Sequence, residues 1–262
     1  MVELEREDML GFDGKARPLL LHAALNGDRD HPATPRTPGE LAAEAGAAVR
    51  AGARTLHLHP YDGDDRQTFA AKPCAAAICA VRAACPGIPI SLSTSAAIEA
   101  DPKRRHALVS AWTELPDLVT VNQGEDGMLD LCELLVTRGI GIEAGLLSVD
   151  DARAFVAAGI APSCVRALVE PLDADPEAAT AHAGLIERVL LEGRVQLEQV
   201  HHGDGFASWA VNRRAVSRGH GIRTGLEDTP VLPDGRLAAG NGELLAAAEA
   251  LLAEAVRERP SD

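Results

Sequence analysis

The sequence predicts an α/β protein, a single-domain (β/α)8 TIM barrel. Three observations predict it. Short apolar runs of strand length alternate with helical stretches eight times along the 262 residues, with no break in composition. Alternation of this kind means parallel strands joined by crossover helices, and eight such units fit a closed barrel. No G-x-G-x-x-G follows the first apolar run, which disfavours the open doubly wound sheet. The polar exceptions to the apolar strands also fall at strand ends, where a barrel of this class keeps its chemistry.

Residues 1–17 read as an N-terminal arm or short leading helix, and 18–262 as the catalytic barrel domain. Residues 18–25 are continuously apolar, as a strand buried on both faces should be. Thr37-Pro38-Gly39-Glu40 then supplies an N-cap, a proline in the first turn and a capping-box glutamate. Its helix ends at Gly52 and delivers the chain to a second strand over 54–59. Strands follow over 88–93, 118–122, 140–146, 163–169, 194–200 and 221–224. Helices separate them over 74–84, 101–112, 128–137, 148–158, 176–192 and 206–218, and a last helix capped by Asn241 closes the chain. Asp101 and Ser148 sit at N-cap positions.

Composition narrows the function. A formal charge of −14 disfavours phosphate backbones and anionic membranes as partners. Aromatic residues are only 3%, too few for base-stacking platforms. The five cysteines form no C-x-x-C pair and read as small buried residues in a reducing cytoplasm. No apolar run is long enough to span a membrane, and the first residues are too acidic for a signal peptide.

The central motif is Thr55-Leu56-His57-Leu58-His59-Pro60. Side chains alternate along a strand, so His57 and His59 share a face, and Pro60 ends the ladder. Two such imidazoles are half of a divalent metal site, or simply polar residues bonded to their neighbours at a strand exit. Other polar residues gather at the same end: Asn26, Ser93, Thr94, Thr120, Asn122, Glu143, the pair His201-His202, and Arg223, Glu227 and Asp228. In a closed barrel the eighth strand lies two strands from the histidines. Glu227 is then the natural third ligand of a His2Glu set with an open position, the alternative being a hydrogen bond within its own loop. Arg223 beside Asp228 is a salt-bridged pair, or a carboxylate clamp with a base. Glu143, on an apolar strand, needs a partner and suggests a pocket role. Adjacent strand residues face opposite ways, so at most one of His201 and His202 points into the site.

Two segments, Ala51-Gly52-Ala53-Arg54-Thr55-Leu56-His57-Leu58-His59 and Gly221-Ile222-Arg223-Thr224-Gly225-Leu226-Glu227-Asp228, together resemble the β-keto acid cleavage enzymes. The resemblance runs from about Leu20 to Val256. It implies a zinc-dependent (β/α)8 barrel, usually a homotetramer, that condenses a β-keto acid with acetyl-CoA to give acetoacetate and a new acyl-CoA. By that resemblance His57, His59 and Glu227 are the Zn2+ ligands, and Arg223 and Asp228 activate a water or enolise the substrate. Glu143 matches a catalytic acid on the fifth strand. Ser93, with Thr94 beside it, lies near the substrate carboxylate, Thr120 and Asn122 belong to a further substrate-binding segment, and Asn26 stands where the amino-keto-acid enzyme has an acid. The chain departs from the family at Pro60-Tyr61-Asp62, at Ser93-Thr94-Ser95-Ala96-Ala97 and at His201-His202-Gly203-Asp204-Gly205. A CoA-independent hydrolase or aldolase on the same barrel is the competing enzyme, and a small-acid binding protein the competing non-enzyme.

Overall fold

A computed structural model describes residues 18–258. The residues read as an N-terminal arm, 1–17, lie outside the described range. Eight parallel strands close into a barrel in chain order: β1 (Leu21–Ala24), β2 (Thr55–Leu58), β3 (Ile90–Ser93), β4 (Leu118–Asn122), β5 (Gly141–Leu146), β6 (Cys164–Val169), β7 (Glu198–His201) and β8 (Gly221–Thr224). The crossover helices are α1 (Pro38–Arg50), α2 (Ala71–Ala84), α3 (Pro102–Ser110), α4 (Met128–Thr137), α5 (Val149–Ala158), α6 (Pro176–Glu192) and α7 (Ser208–Ser217), and α8 (Asn241–Glu258) follows β8.

The expected helix signals act as read. Thr37 and Glu40 form a reciprocal capping box at α1, Asp101 accepts from two backbone amides at α3, and Ser148 accepts from Asp151 at α5. Two elements differ. The seventh strand begins only at Glu198, because α6 runs to Glu192 and Arg194 takes a left-handed φ of 54°. Asn241 does not cap α8. Its side chain accepts from Leu226 N and donates to Leu25 O, tying the ends of β1 and β8 together.

The apolar core lies between the strands and the helices. The barrel interior is different. Such interiors are mostly filled by branched apolar side chains, but here His22 of β1 reaches to 3.8 Å from Glu143 of the opposite strand β5. Arg166 of β6 likewise reaches Thr55 of β2 at 3.5 Å and Glu143 at 3.5 Å. A polar column thus fills the axis below the site. All five cysteines are free, and Cys79 is exposed, not buried, because it occupies the outer face of α2. No described helix is long and apolar enough to cross a membrane.

Candidate active site

The C-terminal mouth of the barrel is built by close backbone approach. A Cβ on Gly225 would stand 1.9 Å from Ala24 O, and one on Gly27 would stand 2.6 Å from Glu227 Cγ. Glycine at both positions lets the turn after β8 settle on the end of β1, which brings Glu227 to the histidines. Asn26 fixes the other side. Its Oδ1 accepts from His59 N at 2.8 Å, and its Nδ2 donates to His59 O at 2.8 Å and to Pro35 O at 3.0 Å. His59, one residue past β2, therefore holds its place without a ladder partner.

His57 Nε2 lies 3.2 Å from His59 Nε2. Glu227 reaches both rings, with Oε2 at 3.7 Å from His57 Nε2 and Oε1 at 3.4 Å from His59 Nε2. Ligands at about 2.0–2.1 Å around a tetrahedral ion stand roughly 3.3 Å apart, so these spacings fit a zinc-sized cation. The tautomers fit as well. Ser91 Oγ donates to Glu143 Oε2 at 2.5 Å, so it is left to accept from His57 Nδ1 at 3.3 Å. Gln67 Oε1 accepts from His59 Nδ1 at 2.6 Å. Both Nδ1 atoms carry the proton, both Nε2 lone pairs face Glu227, and Glu227 Oε2 is buried without a hydrogen-bond partner. Burial holds the His57 imidazolium form down to a pKa of about 3. For Glu227, burial opposes the charge, but Arg223, His59 and His57 outweigh it and keep the carboxyl well below its usual range.

Arg223 projects from β8 as a buried clamp. Its Nε donates to Asp228 Oδ2 at 3.2 Å, and its Nη2 donates to Asp228 Oδ1 at 2.7 Å and to Glu227 Oε1 at 3.0 Å. Burial penalises Asp228, yet Arg223 and then His202 hold it ionised. His201 turns outward and stacks on His220 at 4.7 Å, while His202 turns inward between Asp228 and Glu170, 3.4 Å from each. Burial, and then the nearby Asp228 and Glu227, outweigh His202 and Arg223 and raise the carboxyl of Glu170.

The structure brings His57, His59, Glu227, Arg223 and Asp228 together. Thr120 and Glu143 lie beneath them: Thr120 Oγ1 is 3.4 Å from His57 Nδ1 and 3.5 Å from Glu143 Oε2, and Glu143 is fully buried. The other polar residues are engaged elsewhere. Thr94 Oγ1 donates to Thr120 O, Asn122 Nδ2 donates to Glu125, and Ser93 Oγ accepts from Ser95 N. His202 is the one member of the His201-His202 pair that faces the site, and Ser91, Gln67 and Glu170 join it without having been singled out. Of these three only Glu170 stands at a strand exit, where the polar-exit pattern could have found it. A cleft of about 630 Å³ opens above, lined by His59, Glu227, Asp228 and Glu170 and, towards solvent, by Arg29, Arg36 and Arg66. Each of these arginines is paired, with Asp204, Asp65 and Asp64 respectively.

A family model described as beta-keto acid cleavage enzyme matches residues 18–132 and 200–260, more than half of the chain. The chain is 26% identical to the 3-keto-5-aminohexanoate cleavage enzyme of Fusobacterium nucleatum over 92% of this chain and 93% of that protein. Among solved structures, ObcA in a ternary complex with a C4-CoA adduct and oxalate superposes with a TM-score of 0.68 at 19% identity, covering 86% of this chain. The chain spans only 64% of ObcA. The 3-hexulose-6-phosphate synthase of Salmonella typhimurium shares the barrel at a TM-score of 0.60 and 15% identity, over 90% of this chain and all of that one.

Proposed function

Because the chain belongs to the β-keto acid cleavage enzyme family, we propose that it condenses a β-keto acid with acetyl-CoA and releases acetoacetate and a new acyl-CoA. The observation that supports this reading is the convergence of His57, His59 and Glu227 beside the Arg223–Asp228 clamp at the floor of one cleft. The donor set suits Zn2+, which when bound would act as a Lewis acid towards developing enolate charge.

Asp228 takes a proton from C2 of the β-keto acid, the carbon between its two carbonyl groups. Arg223 holds that carboxylate in place and in its charged form. The C2 carbanion attacks the thioester carbonyl of acetyl-CoA, and CoA thiolate leaves. The thiolate then attacks the C3 carbonyl, the C2–C3 bond breaks, and its electron pair stays on C2, which takes back the proton held by Asp228. The products are acetoacetate, built from C1, C2 and the acetyl group, and an acyl-CoA that begins at C3. In this reading Asn26 acts by fixing His59, Thr120 and Glu143 act by orienting His57, and Ser93, Thr94 and Asn122 shape the wall for the substrate carboxylate.

Residues 18–262 serve as one catalytic domain in this proposal, and free cysteines support a reducing cytoplasm. The homotetramer implied by the resemblance is checked by light scattering on the metal-loaded protein. Turnover over a panel of β-keto acids, with metal content measured in parallel, tests the reaction. Glu227→Gln should lose tight metal and activity together. Full metal content and full turnover in that variant would remove Glu227 from the ligand set, and turnover without acetyl-CoA would favour a hydrolase or aldolase.

A further inference from the structure

Strand β5 meets β6 through a bulge. Ile142 pairs with Cys164, but Glu143 pairs with Arg166, and Val165 is the residue left over. A bulge of this kind re-aims the side chain that follows it and is rare between parallel strands. Ile142 and Cys164 belong to the apolar core between strands and helices, and Val165 is 44% exposed. Arg166 instead enters the barrel interior, where branched apolar side chains are the rule. With uninterrupted pairing Glu143 would lie opposite Val165. The bulge therefore sets Thr120, Glu143, Arg166 and Glu198 in one transverse row across β4 to β7.

A guanidinium and a carboxylate on the axis of a barrel are costly to bury, and their contacts show what they serve. Glu143 is fully buried. Its Oε1 makes no hydrogen bond among the described residues and lies 3.5 Å from Arg166 Nη1 and 3.8 Å from His22 Nδ1. Among the described residues no other guanidinium or ammonium comes within 4.0 Å of it. The second oxygen, Oε2, accepts from Ser91 Oγ at 2.5 Å. One oxygen thus faces Arg166 and the other faces the metal triad. A carboxylate only accepts, so the Ser91 hydroxyl must donate to it and is left to accept from His57 Nδ1 at 3.3 Å. That fixes the ring with its Nε2 lone pair towards Glu227 and His59. Arg166 itself lines the opposite, N-terminal end of the barrel with Leu21, Thr55 and Glu198, and not the cleft. It has no access to a substrate.

We infer that Arg166 is a positioning residue for the metal centre: from the far side of Glu143 it supplies the counter-charge that keeps Ser91 an acceptor and His57 in the tautomer that binds the ion. This rests on the metal-site reading above and does not depend on which substrate the cleft takes. The line of contacts runs from the floor of the barrel to the triad through four side chains, Arg166, Glu143, Ser91 and His57.

The test follows zinc affinity by chelator competition, the absorption spectrum of the cobalt(II) form, and the His57 tautomer by 15N NMR of the metal-free protein. Arg166→Met should weaken zinc binding by about tenfold or more, alter the cobalt(II) bands and move the His57 proton from Nδ1 towards Nε2. Arg166→Lys, which restores a charge beside Glu143, should recover most of each. Glu198→Gln removes the other carboxylate of Arg166, 3.5 Å from its Nε, and should leave all three readouts at their wild-type values. Arg166→Gln is measured beside Arg166→Met with the same expected direction, so that one variant that fails to fold does not decide the matter. Unchanged zinc affinity and tautomer in either folded variant would overturn the inference, and so would a loss in Glu198→Gln as large as theirs. A wild type that binds no zinc tightly would count against the metal site, while the tautomer shift in the metal-free variants would still uphold the role of Arg166.

Discussion

Replacing Arg223 by methionine removes the guanidinium while keeping an unbranched apolar side chain in a fully enclosed position. Three charge-assisted hydrogen bonds disappear, at 3.2, 2.7 and 3.0 Å. Single bonds of this kind contribute about 1.5–3 kcal/mol, but three from one group are not additive. Removing one partner from a buried ion pair costs about 3–5 kcal/mol, because the other charge stays behind, and here two carboxylates stay behind. That is the loss expected at pH 7 in urea unfolding of the metal-free protein. The pH dependence follows from the same contact. Asp228 and Glu227 both have folded-state pKa values below their ordinary ones. Their contribution is therefore present above the usual carboxylate range and is lost as pH falls through that range towards the depressed folded values. Arg223→Met abolishes the contribution, so the stability gap between wild type and variant should be widest near neutrality and shrink below about pH 4. With the clamp gone the Asp228 carboxyl rises, and the acid limb of the kcat/KM profile should move to higher pH. A gap below about 1 kcal/mol at pH 7, or one that does not change with pH, would refute this account of the clamp.

Other perturbations isolate other parts of the site. Asn26→Ala leaves the buried amide and carbonyl of His59 without partners and should cost about 2–4 kcal/mol in thermal or urea unfolding. The same variant should weaken metal binding by about tenfold or more in a chelator competition, because His59 loses its support. Gly225→Ala meets backbone, not a flexible side-chain end, at 1.9 Å, so its soluble yield should collapse, whereas Gly39→Ala, with nothing within 4 Å, should express normally. Glu187, on α6, is opposed by burial, but Arg218, Arg214 and His220 draw its pKa down to about 2. Its contribution is present above an unfolded value of 4.5 and lost as pH falls towards 2. Wild type should exceed Glu187→Gln in melting temperature at pH 6, with the difference closing by about pH 2–3.

The sequence exposes the barrel readily, because eight apolar runs between well-capped helices leave few other topologies. It also exposes His57, His59 and Glu227, since a polar side chain at the end of an apolar strand is conspicuous and all exits face one end. What it hides is whether a side chain is free. Asn26, Thr94 and Asn122 stand at exits as the ligands do, yet their hydrogen bonds go to backbone or to Glu125. Such contacts are set by loop geometry after β1 and β4, which spacing does not encode. Ser91 is missed for the opposite reason. It sits mid-strand, where alternation predicts an ordinary half-buried position, and its role appears only when β5 brings Glu143 to 2.5 Å. His22 and Arg166 are concealed in the same way, since cross-barrel neighbours are remote in sequence. Glu170 stands immediately after β6 and had the same signal as Asn26, but its neighbour in the chain, Pro171, lets it pass as the start of a loop.

The central claim is that acetyl and acyl groups change places across one C–C bond. It is tested most directly by incubating the zinc-loaded protein with an unlabelled β-keto acid that it turns over and acetyl-CoA carrying 13C in both acetyl carbons. Mass spectrometry and NMR then locate the label. The account predicts acetoacetate labelled at C3 and C4 and an unlabelled new acyl-CoA, in equal amounts. Unlabelled acetoacetate, or loss of the β-keto acid with the labelled acetyl-CoA left intact, would contradict it.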